Sequence, residues 1–431
     1  MKSFKLLVLF IFAVLLLSNV SYSQSIPGGT GRYEALGSNP FMLDPVVDLN
    51  NNPAWSTQYK NYVFGDLGRG KVTGDQYQLS DQYAGINFKA SKEINLGLVL
   101  NKTEGMWSDF NRDNSYGANA NGVSAPIVPL KVLFGYATPN FAFGIAPYYA
   151  SWSQDSNNTT GTSDQKLTWK SMSLGAQVGM IYKMNADWFE GSINFKMNSY
   201  SYEGSTNTPS AMSYKLENEG GMELSLGLRG WFLANKPNKV AIVPYVGFGI
   251  YSWNPKVTSS PAAFTTILPK YSHMNLNGGV GVNMPVMENG TLATGLSFGY
   301  SKIEAKVEDA TNSVHTYSGF MLPKFNIGLE WKFVDWLSGR LGYSRAFYYS
   351  SEKLTDNYGS PAVARTLEFK STTASDPVQT INLGIGLHFD RFSLDGTIGE
   401  RLLKNGPFII TNNTEENDFY GVFSASYNFN R

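Results

Sequence analysis

The 431-residue chain has no cysteine. This excludes disulfides, thiolate metal sites and a lipid-anchored cysteine. It has three histidines, His273, His315 and His388, which stand far apart. With no local partners they form no metal cluster or catalytic pair, so no cofactor, no metal and no enzymatic chemistry are expected. Charge is scarce and balanced: 16% of residues are charged, 34 of each sign, which gives no basic footprint for nucleic acid. Beyond the first residues there is no uncharged apolar run of about 18, the length of a membrane helix. The nearest approach, 240–253, is interrupted by Pro244, Gly247 and Gly249. A mature chain that enters a membrane must then do so as a closed barrel, because lipid satisfies no free backbone group.

The chain is rich in glycine (43 residues) and in aromatics (14%), a mix suited to strands that face lipid between aromatic girdles. It opens as an export signal. Lys2 and Lys5 precede the apolar stretch 6–17, and Ser21 and Ser23 place the cut before Gln24. The stretch 381–398 shows the dominant pattern. Ile381, Leu383, Ile385, Leu387 and Phe389 alternate with Asn382, Gly384, Gly386 and His388. Successive strand side chains point to opposite faces, so one face is apolar and the other small or polar. After Asp390 and Arg391, a second strand repeats the pattern with Phe392, Leu394 and Ile398.

From Tyr59 onward this unit recurs. Short connections are read at 90–92, 138–140, 184–186, 235–238, 288–290, 334–336 and 390–391. Longer polar loops are read at 103–126, 153–165, 203–213, 309–314 and 354–377. Short turns on one side and long loops on the other mark an outer-membrane barrel. The expected fold is all-β, a transmembrane antiparallel barrel of 14–16 strands, nearer 16. A soluble β-sandwich also alternates, but seldom keeps this order for so long. The C-terminal run Phe419, Phe423, Ala425, Tyr427 and Phe429 resembles a barrel assembly signal. By alternation Glu330, Lys332, Arg340, Asp395, His388 and Arg391 face the lumen. At this size the lumen is an open channel or is plugged.

Residues 24–57 do not alternate and form the candidate plug; 1–23 is the signal peptide and 58–431 the barrel. Within the plug, Ala35-Leu36-Gly37, then Asp44, then Asn52-Pro53-Ala54 eight residues later resembles the N-terminal signature of the FadL-type long-chain fatty-acid transporters. Related PorV-type proteins of secretion share it. Trp55 stands where that family usually has glycine, and Pro45 where it has a second acidic residue. The resemblance implies a barrel with an N-terminal hatch, lipid as its surroundings, and passive uptake of hydrophobic small molecules. A secretion-system shuttle with protein partners, or a general porin, remain the alternatives. Read without the resemblance, Asn52-Pro53 sets a turn and the asparagines satisfy irregular backbone.

Two further signals are set aside. Gly295-Leu296-Ser297-Phe298-Gly299 matches a nucleophile elbow, but alternates as a strand where an elbow needs a strand-turn-helix. Met106, Trp107 and Phe110 fall in a long loop, where they form the loop's own small core or catch an apolar solute.

Overall fold

A computed structural model describes residues 29–73, 76–80, 82–101, 129–160, 163–206, 212–218, 220–260, 269–307, 313–358, 363–372, 378–398 and 422–429. The export signal, its cut site and the loop residues Met106, Trp107 and Phe110 lie outside these residues.

The strands form one antiparallel sheet that closes on itself. The first strand, β1 (Tyr62–Thr73), pairs with the last, β16 (Val422–Asn428), from Tyr62↔Asn428 to Arg69↔Val422. Between them run β2 (Gln76–Ser80 and Tyr83–Lys89), β3 (Ile94–Leu100), β4 (Leu130–Ala137), β5 (Phe141–Thr160), β6 (Ser163–Met184) and β7 (Asp187–Thr206). Then follow β8 (Met212–Asn218 and Gly221–Asn235), β9 (Val240–Trp253 and Pro255–Ser260), β10 (Lys270–Val286), β11 (Gly290–Lys306) and β12 (Val314–Val334). The circuit ends with β13 (Leu337–Tyr358), β14 (Val363–Thr372 and Val378–Phe389) and β15 (Phe392–Ile398). This is a 16-stranded closed barrel, and each of the seven short connections falls where alternation placed it. Asn185, Lys239, Met287 and Asp390 take positive φ in four of them.

Inside and outside are inverted relative to a soluble protein. Ile327 and Ile385 are 39% and 48% exposed on the outer face, while Asn326 and Asp395, on the inner face, are 1% exposed. The outer side chains are those that lipid covers, and closure leaves no edge to hydrocarbon.

The wall is uneven in height. β5 and β6 stay in register out to Thr160↔Ser163, through the stretch read as a loop at 153–165. Their 20 and 22 residues far exceed the about 9–11 that span a bilayer. The polar run is thus a ladder standing clear of the membrane, because ladder pairing needs backbone groups and not apolar side chains.

The segment before β1 is helical and lies inside the barrel. It contains α1 (Thr30–Ala35), α2 (Pro45–Asn51) and a 3₁₀ turn at Pro53–Thr57. α1 contacts β13 to β16, and the 3₁₀ turn contacts β3 to β6, so the segment crosses the lumen. Two hydrophobic clusters seat it. Val46, Leu49, Ala54 and Trp55 pack with Leu133, Ala146 and Ile181, and Leu36, Phe41 and Met42 with Val243 and Ala293.

Wall glycines make this approach possible. A Cβ on Gly144 would lie 2.3 Å from Ala54 N, and one on Gly342 2.1 Å from Gly37 N. Gly144→Val should therefore unseat the 3₁₀ turn, at a cost of about 1–3 kcal/mol for overpacking. Limited proteolysis should then cut near residue 54 in the variant and spare the parent; equal resistance would refute the contact.

Candidate functional site

The motif residues of the plug have distinct local tasks. Ala35 ends α1 with its methyl group against Gly384. Leu36 is the cap, and Gly37 takes the left-handed conformation at φ +73. Ser38 N then donates to Tyr33 O (3.0 Å) and Gly37 N to Glu34 O (2.8 Å), the pair of bonds that closes a Schellman motif. Asp44 caps α2. Its Oδ1 accepts from Val46 N (3.0 Å) and Val47 N (3.2 Å), with Pro45 at the first helical position.

Asn52 caps the following turn by accepting from Ala54 N at 3.0 Å, and its amide donates to Glu190 at 3.0 Å and to Met180 O at 3.2 Å. Pro53 opens the 3₁₀ turn, and the backbone at Ala54 meets Gly144. Trp55, the departure from the family pattern, stacks on Tyr59 (5.3 Å) and meets Trp188 edge-on (5.2 Å). Its indole N–H donates to Glu190.

Two ionic clusters tie the plug to the wall. In the first, Arg32 of α1 bonds the Glu330 carboxylate through Nε and Nη2 (2.5 Å from Nη2) and reaches Asp44 at 3.2 Å. Arg340 donates to Glu330 at 2.9 Å. Its Nη1 lies 2.6 Å from Asp395 Oδ1, an ion pair whose angles depart from those of a hydrogen bond. In the second, Arg229 joins Asp48 of α2 (2.6 Å) to Glu190 of the wall (2.5 Å). Asp48 Oδ2 also accepts from Tyr59 OH at 3.0 Å and from Asp44 N at 3.1 Å. Backbone carbonyls near the end of α2 are held as well, Asn50 O by Lys131 (2.9 Å) and Asn51 O by Gln177 (2.5 Å).

Of the residues expected to face the lumen, Glu330, Arg340 and Asp395 therefore meet in one cluster with the plug. Lys332 does not join it; near the short turn it pairs with Asp335 at 3.0 Å. His388 makes no direct bond to the cluster; its Nδ1 lies 3.2 Å from Ser393 Oγ. Arg391 pairs with its neighbour Asp390 at 3.7 Å. All three sit near the short-turn ends of their strands, and His388 and Arg391 are bonded to near neighbours. Arg32, Asp48, Glu190 and Arg229 were missed. The signal for Glu190 and Arg229 was the same inward parity that singled out Glu330 and Arg340. Ser297 of the elbow-like motif pairs within the β11 ladder and accepts from Asn326 Nδ2 at 2.7 Å, so there is no elbow.

Burial raises the carboxyls of Asp44 and Asp48 to about 6, against the pull of Arg32 and Arg229 respectively. A raised carboxyl means that the seated plug binds protons more readily than a released one. Its seating is strongest below the ordinary carboxylate range and weakens as pH rises through about 6. Between pH 5 and 7.5 the linkage at Asp44 is worth about tenfold in the seating equilibrium, and Asp48 acts in the same direction. Amide exchange across 45–51 should thus be slower at pH 5 than at pH 7.5 once corrected for intrinsic rates. Asp44→Asn, which keeps a capping acceptor, should shrink the difference. Faster corrected exchange at pH 5 would reverse the assignment.

Over the plug, between α2 and strands β6 to β10, lies a cavity of about 590 Å³. Asn50 and Asn52 form part of its floor, and Gln177, Asn194, Lys196 and Asn277 part of its wall. The arrangement offers a solute compartment closed on the short-turn side by a segment held through ionic and apolar contacts.

No protein-family model matches the chain, and no curated protein sequence matches it. Among solved structures it is similar to the Pseudomonas putida toluene transporter TodX, at 10% identity and a TM-score of 0.34 over 95% of this chain and 100% of that one. It is also similar to the ferric yersiniabactin uptake receptor FyuA of Yersinia pestis, at 10% and 0.36 over 84% and 73%. A third likeness is the ferripyoverdine receptor of the outer membrane of Pseudomonas aeruginosa, at 9% and 0.32 over 86% and 72%. At these identities and scores no solute, partner or mechanism passes from them to this chain.

Proposed function

We propose that the chain is an outer-membrane channel for uptake of small molecules, with residues 29–57 as a hatch that must shift before a solute passes. The observation that carries this reading is the hatch itself. It crosses the lumen, and its Arg32 and Asp48 are ion-paired to Glu330 and Arg229 of the wall. A static plug needs only packing. Salt links can exchange partners or gain water as the segment shifts against its apolar seats, and no covalent step is required.

The hydrophobic-solute form of this reading, with fatty acids as the example, rests on the arrangement of Ala35, Leu36, Gly37, Asp44, Asn52, Pro53 and Ala54. A second reading, docking of secretion partners, is favoured by the tall β5–β6 wall beyond the bilayer.

Reconstitution separates these. The parent protein in a planar bilayer should pass little ion current, while vesicles containing it should admit small solutes faster than empty vesicles. Steady high conductance of the parent would point to an open porin, and absence of any solute entry would remove the transport reading.

A further inference from the structure

We infer that the cavity over the hatch is a binding site for an uncharged, hydroxyl-rich solute, a carbohydrate. This rests on the channel reading and names its substrate class.

The first argument is charge. Every ionised side chain lining the cavity already has a partner of opposite sign. Arg229 serves Asp48 and Glu190, and Lys196 Nζ lies 3.9 Å from Glu223. A charged solute would break a buried pair to be held, and an unpaired buried charge is costly. A neutral solute leaves them intact.

The second argument is hydrogen bonding. Gln177 and Asn50 line the cavity, both 7% exposed. Gln177 Oε1 and Asn50 Oδ1 have no hydrogen-bond partner among the described residues. Each is a carbonyl acceptor that costs about 1–3 kcal/mol when buried and unmet. Asn194 and Asn277 add amides that both donate and accept. Solute hydroxyls, which do both as well, match these amides, and a small turn of the Gln177 or Asn50 side chain would bring its unmet acceptor to them. An apolar solute would strip water from these amides and return no hydrogen bond.

The third argument is shape. The volume of about 590 Å³ is that of a small-molecule site. From Gln177 to Trp169, about 27 Å of strand rises toward the loops; the inward side chains between them are the hydroxyls of Ser173 and Ser171, and aromatics stand on the neighbouring strands. Trp169 pairs with Tyr202 (5.6 Å), Tyr200 with Trp253 (4.7 Å), and the Tyr148 ring lies 4.6 Å from Lys196 Nζ. Tyr148, Tyr200 and Trp253 are packed away, but Trp169 and Tyr202 are partly open, and aromatic faces bind the C–H faces of sugar rings while hydroxyls and amides take the sugar hydroxyls.

The test uses the full chain in nanodiscs, with maltotriose, cellotriose and chitotriose as probes and triglycine and palmitate as comparisons, against empty discs. Calorimetry should show at least one trisaccharide binding, with a change in tryptophan emission. Gln177→Ala should weaken it about tenfold or more, and Gln177→Asn should recover part of the loss. A Cβ at Gly227 would approach only Ser192 Oγ, at 3.3 Å, so Gly227→Leu is accommodated at the wall, projects into the cavity and should abolish binding. Heat-modified gel mobility confirms that each variant is a folded barrel.

No trisaccharide binding by the folded parent, or palmitate or triglycine binding that Gly227→Leu alone removes, overturns the assignment. Solute entry into vesicles without sugar binding refutes the carbohydrate site and leaves the channel. Sugar binding without entry refutes the channel and leaves the site.

Discussion

Arg229→Ala should turn a barrel that passes little current into one that conducts steadily. The Arg229 guanidinium bonds Asp48 of the hatch and Glu190 of the wall at 2.6 and 2.5 Å. Both carboxylates have side chains less than a tenth exposed, so removing the cation leaves two like charges buried together. Breaking a buried pair in this way costs about 3–5 kcal/mol. At about 1.4 kcal/mol per tenfold, that moves the seated-to-released ratio by about two to three and a half orders of magnitude. The barrel circuit does not depend on this residue's side chain, so the loss should fall on hatch seating. Arg229→Lys should give an intermediate effect, since one ammonium cannot reproduce a planar fork between two acceptors. Single-channel recording is the measurement. A folded Arg229→Ala barrel as silent as its parent would show that other contacts seat the hatch.

The second large effect is on stability. Arg340→Met should lower the unfolding free energy of the reconstituted protein by about 3–5 kcal/mol. Arg340 is fully buried between Glu330 and Asp395, whose side chains are 9% and 1% exposed. Glu330 keeps Arg32 after the change, but Asp395 loses its ion-pair partner. Adding Asp395→Asn to Arg340→Met should restore most of the loss, because a neutral buried pair carries no uncompensated charge. Urea midpoints in micelles for the two singles and the double form the cycle. If the double is no more stable than Arg340→Met, the cost lies in lost packing and the charge argument fails.

Much of the wall was legible in the sequence. Alternation at 381–389 and 325–333 is a two-residue property of one strand, so it needs no knowledge of the partner strand. Seven two- to four-residue turns then pointed to 14–16 strands, nearer 16, and the pairing of first and last strands settles the count at 16. The tall β5–β6 ladder was not legible. Polar residues at 153–165 read as a loop, whereas backbone pairing with a neighbour decides the matter.

The candidate site divides in the same way. Asp44 before Pro45 and Asn52 before Pro53 are caps readable within a few residues, and Gly37 ends α1 by its left-handed conformation. Parity placed Glu330, Arg340 and Asp395 inward. It placed Lys332, His388 and Arg391 inward as well, although these sit near the short turns. Parity names a face and says nothing of height along the strand or of what lies opposite.

The sequence alone thus determined a closed barrel with a greasy outside, its turns, and an irregular segment at its head. Only the tertiary structure decided that Arg32 and Asp48 of that segment meet Glu330 and Arg229, nearly 300 and 181 residues further on. It alone decided, too, that amides line the space above. The physical reason is that side-chain alternation is local, whereas ion pairing and cavity lining depend on which strands closure brings to face the hatch.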